Sequence, residues 1–289
     1  MAQRSHSRSQ LTIRTIDLRS GATIPALGMG TWHLAQGRHP ADVEIEALQT
    51  GLELGMTLID TAEMYGAGAT ERLVGVAIAG RRDDVFLVGK VLPYHATYTG
   101  TIAACEASLA RLGTDHLDLY LLHWRGSVPL EQTVSAFEEL KRRGAIRHWG
   151  VSNFDVPDMM ELIQLPAGRG LEADQVLYNL ETRGIEWNLL PWCQTEGVAV
   201  MAYSPLAQGD LADHPVLRGI AARHQVKPSQ VALAWVIAHR GVCAIPEAGT
   251  PRHVRENFGA LRVVLEEDDL LELDTAFEPP PRPVPLQVL

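Results

Sequence analysis

An aspartate, a lysine and a histidine each close a short apolar run: Asp60 follows Thr57-Leu58-Ile59, Lys90 follows Val85 to Gly89, and His123 follows Leu117 to Leu122. Singly, each has an ordinary explanation: a helix N-cap or loop carboxylate for Asp60, a solvated strand end for Lys90, a hydrogen-bonded core imidazole for His123. Tyr65 alone is a loop aromatic. Together the four define a workable proton-transfer site. A phenol titrates near pH ~10 in water and relays protons poorly at neutrality unless it is tuned. An adjacent ammonium favours the phenolate and lowers that value. Lys90 can supply the charge, Asp60 can pair with Lys90 and fix it, and a neutral His123 can donate a hydrogen bond to a carbonyl oxygen. Such a set suits carbonyl reduction, with Tyr65 giving a proton to oxygen while a cofactor gives hydride to carbon.

These side chains meet only if their strands end side by side. Eight apolar runs, beginning near Pro25, Met56, Val85, Leu117, Ile146, Asp174, Val198 and Val242, alternate with helical stretches at roughly the spacing of one βα unit. The last gap is longer and leaves room for an extra helix. The helical period shows in Val43, Ala47, Leu48 and Leu52, and again in Leu130, Val134, Phe137 and Leu140. Gly51, Gly55, Gly113, Gly144 and Gly197 fall where helices should end in left-handed residues. Eight such units fit an open doubly wound sheet or a closed barrel. The first turn decides: Gly28-Met29-Gly30 runs into Thr31-Trp32-His33 without the third glycine of a G-x-G-x-x-G loop. A single (β/α)8 TIM barrel over residues 1–289 is therefore expected. A hairpin, Thr15 to Ile24 around Ser20-Gly21, should cap its bottom, and extra C-terminal helices should follow. Pro279 to Pro285 reads as an extended surface segment after a helix bearing Leu270, Leu273 and Phe277, and residues 1–12 as a flexible tail. In a barrel, strand ends share one site, which adds Ser152-Asn153 and Tyr203-Ser204 to the first four residues.

Composition narrows the partners. A net charge of -10, from 35 acidic and 25 basic residues, repels phosphate backbones and anionic lipid. No nucleic acid or membrane partner is expected, and an anionic cofactor must be held by local donors. Cys105, Cys193 and Cys243 are odd in number and widely spaced, so no disulfide framework and no metal site is suggested. With no apolar run in MAQRSHSRSQ to serve a signal sequence, a cytoplasmic protein is expected.

The blocks Gly30-Thr31-Trp32, Leu58 to Gly66, Val88 to Val91, Asp118 to Trp124, Gly150 to Phe154 and Ala202 to Leu206 resemble the signature blocks of the aldo-keto reductases, in the family's order. The fine pattern is similar to bacterial members that reduce methylglyoxal and other small aldehydes. The resemblance implies Asp60, Tyr65, Lys90 and His123 as the catalytic four and NADP(H) as cofactor. Ser152, Asn153 and Gln175 would hold the nicotinamide carboxamide, and Tyr203 would stack on the ring. Gly30 and Thr31 would approach the cofactor through the backbone. Trp32, Asp60, Ser204, Leu206, Ile245, Glu247, Thr250, His253, Glu256 and Asn257 would complete the cofactor contacts. Trp32, Tyr65, His123 and Trp124, with Tyr94 near them, would frame a pocket for a small or flat carbonyl substrate. Tyr203 and either tryptophan could instead be plain core. A monomer or weak homo-oligomer is expected.

One departure bears on the cofactor. Many NADPH-preferring relatives carry lysine after the Ile-Pro of the eighth strand, and here Ile245-Pro246 is followed by Glu247. A carboxylate there would repel a ribose 2'-phosphate or accept from a ribose hydroxyl, unless it turns outward to solvent. Arg252, His253 and Arg255 could compensate, so weaker NADP(H) discrimination, with dual or NAD(H) use, is expected. The short loop from Ala207 to Pro215 should ease cofactor release. Two rivals predict otherwise: a nicotinamide-binding redox sensor or scaffold with little turnover, and an aldolase in which Lys90 forms a Schiff base.

Overall fold

The computed structural model describes residues 13–289 and opens on two antiparallel strands, β1 (Thr15–Asp17) and β2 (Thr23–Pro25). The tail expected over residues 1–12 lies outside the described residues. The hairpin turns through Gly21 at φ 88°, and Ile16, Leu18, Ile24 and Ala26 join the apolar plug that fills the barrel's interior.

Eight parallel strands follow, each bonded to its neighbours in chain order: β3 (Met29–Gly30), β4 (Leu58–Asp60), β5 (Phe86–Val91), β6 (Leu117–Leu122), β7 (Ile146–Ser152), β8 (Leu171–Leu177), β9 (Ala199–Tyr203) and β10 (Val242–Ala244). The sheet closes on itself through Gly28 N–H to Ala244 O (2.8 Å), Ala244 N–H to Ala26 O (2.9 Å) and Gly30 N–H to Pro246 O (3.1 Å). Because both faces are covered, β6 is buried at every position, the pattern of a parallel strand between two apolar layers. Leu119 and Leu121 point into the barrel, while Tyr120 and Leu122 pack under the helices.

The helical layer comprises α1 (Ala41–Leu54), α2 (Ala69–Ala77), α3 (Tyr98–Leu112), α4 (Leu130–Arg142), α5 (Val156–Leu162) and α6 (Leu189–Glu196), then α7 (Pro215–His224), α8 (Pro228–Ala238) and α9 (Pro251–Phe258). The expected extra helix is present, since α7 and α8 both lie between β9 and β10, and α10 (Glu267–Ala276) follows the barrel. Gly55, Gly113 and Gly197 end α1, α3 and α6 in the left-handed region, as their spacing suggested. Gly51 does not: it lies inside α1, where a Cβ would collide with the Met29 sulfur, so its absent side chain serves helix–strand packing.

Two strand starts differ from the apolar runs. Pro25 belongs to the hairpin, and the first barrel strand is only Met29–Gly30. The sixth barrel strand begins at Leu171 rather than Asp174, because Glu172, a buried carboxylate accepting the Ser20 N–H at 3.1 Å, interrupts the apolar run. Leu273 and Phe277 bury α10, and Pro279 to Pro285 has no regular structure.

Candidate active site

A cleft of about 1020 Å³ opens over the C-terminal ends of the barrel strands. Asp60 is the last residue of β4, Lys90 lies one residue before the end of β5, and His123 follows β6 directly. Strand register sets Asp60 opposite Val88 and Lys90 opposite Leu121, so Lys90 stands two residues beyond Asp60's partner and on the same face of β5. Tyr65 enters from the turn after β4, where Gly66 and Ala67 take left-handed backbone and aim the ring back over the strand ends.

Lys90 is wholly buried, and its ammonium has three acceptors: Asp60 Oδ2 at 2.7 Å, Thr61 O at 3.0 Å and Tyr65 Oη at 3.1 Å. All three ammonium protons are thereby used, and the phenol oxygen accepts, which leaves its own hydrogen for another partner. Asp60 is held on its other side, where Gln175 Nε2 donates to Oδ1 at 2.7 Å, and Thr31 Oγ1 donates to its backbone oxygen at 2.8 Å. The imidazole of His123 stands edge-on to the Tyr65 ring, with centroids 5.8 Å apart.

Burial decides the electrostatics. It pushes the Tyr65 phenol well above its ordinary value, with the Asp60 carboxylate adding to the rise, so the neighbouring ammonium does not win as the sequence argument expected. Tyr65 rests as a loaded acid. Burial also lowers Lys90, against the opposing pull of Asp60. His123 is brought down to about 2, by burial first and by the Lys90 charge second, so its imidazole is neutral across the physiological range.

A second polar chain runs from the same carboxylate. Ser152 Oγ donates to Gln175 O at 2.7 Å, Asn153 Nδ2 donates to Ser152 Oγ and to His123 O at 3.2 Å, and Tyr203 Oη donates to Asn153 Oδ1 at 2.9 Å. Asn153 and Ser204 hold left-handed backbone, at φ 60° and 46°. Such non-glycine geometry costs about 1–3 kcal/mol and persists where surrounding contacts fix it.

The cleft brings together Gly30, Thr31, Trp32, Asp60, Tyr65, His123, Trp124, Ser152, Asn153, Gln175, Tyr203, Ser204, Leu206, Ile245, Glu247, His253, Glu256 and Asn257. Thr250 is not among its walls; its side chain accepts the His253 N–H at 3.3 Å and caps α9. Tyr94 also stands outside, largely exposed, with its ring edge against Trp124. Glu247 does not turn out to solvent. Its Oε2 accepts the His33 N–H at 2.8 Å and faces His33 Nδ1 at 3.1 Å, and Arg38 approaches Oε1 at 4.0 Å. Of the suggested compensating cations, Arg252 is engaged with Glu256 at 2.9 Å, while His253 lines the cleft. His33, Arg38, His39, Glu44, Gln208, Val288 and Leu289 are walls that the sequence argument missed. Gly37 and Pro40 around the first group are a loop signal; nothing comparable marks Val288 and Leu289. Among the described residues there is no cluster of three side chains fit to hold a metal, and no helix long and apolar enough to cross a membrane.

The family model of the aldo/keto reductases matches residues 26–278. The chain is 50% identical over 272 residues to methylglyoxal reductase YeaE of Escherichia coli (strain K12), covering 92% of this chain and 96% of that one. It is 34% identical over 264 residues to a glyoxal reductase of Bacillus subtilis (strain 168), covering 90% and 91%. A crystal structure of an aldo-keto reductase from Klebsiella pneumoniae in complex with NADPH superposes with a TM-score of 0.93 at 46% identity, over 96% of this chain and all of that one. With the match spanning nearly the whole barrel, this chain belongs to the aldo/keto reductase family.

Proposed function

We propose that the protein reduces small aldehydes and ketones, of the methylglyoxal kind, to alcohols with a reduced nicotinamide cofactor. The observation that carries this is the Lys90 ammonium bonded to both Asp60 and Tyr65 in a buried pocket, with a neutral imidazole beside the phenol. The cleft fits the cofactor: it runs from Tyr65 to Glu256 and Asn257, its volume is that of a large ligand pocket, and Ser152, Asn153 and Gln175 place amide and hydroxyl groups where a carboxamide can exchange into their chain. Bound there, a reduced dinucleotide would supply hydride to the carbonyl carbon.

The chain's own residues do the rest. His123 donates to the carbonyl oxygen and orients it, and the Tyr65 hydroxyl delivers its proton as charge gathers there. Lys90 then stabilises the phenolate left behind, and Asp60 with Gln175 keeps Lys90 in place. Trp32, Met64 and Trp124 line the substrate mouth with apolar surface suited to a small or flat carbonyl. Both rivals fit the site less well. A pure binder has no use for the Asp60–Lys90–Tyr65 arrangement, and a lysine with every proton committed is a poor Schiff-base nucleophile.

The Klebsiella pneumoniae relative is crystallised in complex with NADPH. Here Glu247 faces into the cleft, so NADH should also serve, with kcat/KM comparable to that for NADPH. A preference for NADPH of several hundredfold would overturn that expectation. The central experiment follows NADPH and NADH absorbance with methylglyoxal in the wild type and in Tyr65→Phe. Turnover should disappear in the variant, by about 10²–10⁴-fold, with dinucleotide affinity intact; undiminished activity would remove the basis of the reading.

A further inference from the structure

Between Asp60 and Tyr65 the chain carries a carboxylate that touches neither of them. Glu63 is largely buried, its side chain 9% exposed, and it reaches across to the segment after β5. Its Oε1 accepts the Leu92 N–H at 2.7 Å, and both of its oxygens lie near His95 Nδ1, at 3.0 and 3.2 Å. The Glu63 N–H points at Lys90 O, at 3.5 Å. Glu63 therefore joins the turn that carries Tyr65 to the strand end that carries Lys90, from two residues before the one to two residues after the other.

The turn needs such a tie. Gly66 and Ala67 take left-handed backbone, which interrupts the helical ladder between Tyr65 and α2. The Lys90 ammonium meets the Tyr65 oxygen only if the two segments keep their spacing, and no direct side-chain bond other than that one joins Tyr65 to β5. Glu63 also fixes the turn from Pro93 to His95, on which Tyr94 sets its ring edge against Trp124, 6.2 Å between centroids. The same carboxylate thus ties the proton-donor turn on one side to the turn whose Tyr94 backs Trp124 on the other.

We propose that Glu63 is a positioning residue for proton delivery, holding the Tyr65 turn in register with Lys90 through Leu92 and His95. The inference rests on Tyr65 being the proton donor. Glu63→Ala should lower kcat by about 10²-fold, the loss that follows a misplacement of the order of 1 Å at a reacting group. It should also raise the solvent isotope effect on kcat, because proton transfer becomes slower than hydride transfer. NADPH affinity, read by fluorescence titration, should stay at the wild-type value, since Glu63 is no wall of the cleft. Glu63→Gln can still accept from Leu92 N–H through its amide oxygen and donate to a neutral His95 Nδ1, so it should restore most of kcat.

A role confined to stability would lower the melting temperature of Glu63→Ala but leave kcat per NADPH-binding site, and its isotope effect, unchanged. That result would overturn the proposal, as would a Gln variant as impaired as the Ala variant. If Glu63→Ala fails to fold, Glu63→Asp withdraws the acceptor by one methylene while keeping the charge, and must show the same rise in isotope effect. Tyr65→Phe separates the two failures. If it is active, the proton-donor reading falls; if it is inactive while Glu63→Ala has wild-type kcat, only the positioning role falls.

Discussion

The two ends of the cleft are built on different physical terms. At the inner end Asp60, Lys90 and Gln175 sit at or near strand ends and Tyr65 on the turn after β4, all almost fully buried, and the ion pair at their centre has every lysine proton placed. At the outer end Glu247, His33 and Arg38 come from loops and remain partly exposed, at 26%, 24% and 59% of their side chains. A buried pair is committed, because removing one partner strands the other charge in a low dielectric. A half-solvated cluster is adjustable, since water and salt replace what a substitution removes. The inner end should therefore break under substitution and the outer end should shift.

Lys90→Met tests the first half most severely. It deletes the donor to Tyr65 and leaves the Asp60 carboxylate with Gln175 as its remaining side-chain partner. Stability should fall by about 3–5 kcal/mol, read by urea denaturation. Any folded fraction should retain NADPH binding while kcat falls by about 10²–10⁴-fold. A stable, active variant would mean that the inner end is as tolerant as the outer one.

His123 sharpens the same contrast through pH. Its folded-state value lies near 2, far below the unfolded value, so the native state refuses a proton that the unfolded chain accepts. The stabilising difference is whole above the unfolded pKa of roughly 6.5 and is lost as pH falls towards the folded one, at up to about 1.4 kcal/mol per pH unit. His123→Asn removes that titration. Its unfolding free energy between pH 6.5 and 4 should decline less steeply than the wild type's by about that slope, and parallel declines would show the imidazole to be solvated after all.

This difference in construction also separates what the sequence made legible from what it hid. Asp60, Lys90 and His123 could be read because each follows an apolar run that ends at one rim, and backbone register then does the positioning. Their neighbours Ser152, Asn153 and Tyr203 were legible for the same reason. The sign of the Tyr65 shift was not, since a neighbouring cation is visible in sequence while the degree of burial is not. Glu172 hid the start of β8 because a buried, bonded carboxylate looks like a loop residue. Glu247 could be seen to differ in charge, but its direction depends on His33, more than two hundred residues away along the chain. Val288 and Leu289 reach the cleft without regular structure, so no period announces them.

Glu247→Lys addresses the adjustable end. The substitution replaces a carboxylate paired with His33 by a cation facing the same cleft. NADPH should gain over NADH by about tenfold to hundredfold in kcat/KM, the worth of one charge-assisted hydrogen bond of roughly 1.5–3 kcal/mol. The gain should shrink in high salt, whereas methylglyoxal turnover with saturating cofactor should hold. A collapse of kcat would instead tie the outer cluster to the chemistry.

The smallest effect is expected at Arg252, a cation near the outer end that a sequence argument would enlist for phosphate binding. Its Nε donates to Glu256 Oε1 at 2.9 Å one helical turn away, and its side chain is 76% exposed. Glu256 has Lys227 as a further partner, so its charge stays compensated when Arg252 is removed. An exposed pair of this spacing contributes little, and Arg252→Gln should change the dissociation constants of NADPH and NADH by less than about twofold, equally for both. A loss confined to NADPH would mean that Arg252 leaves Glu256 for the cofactor's additional phosphate. The outer end would then hold a specific anion receptor, and its tolerance to substitution would stop at α9.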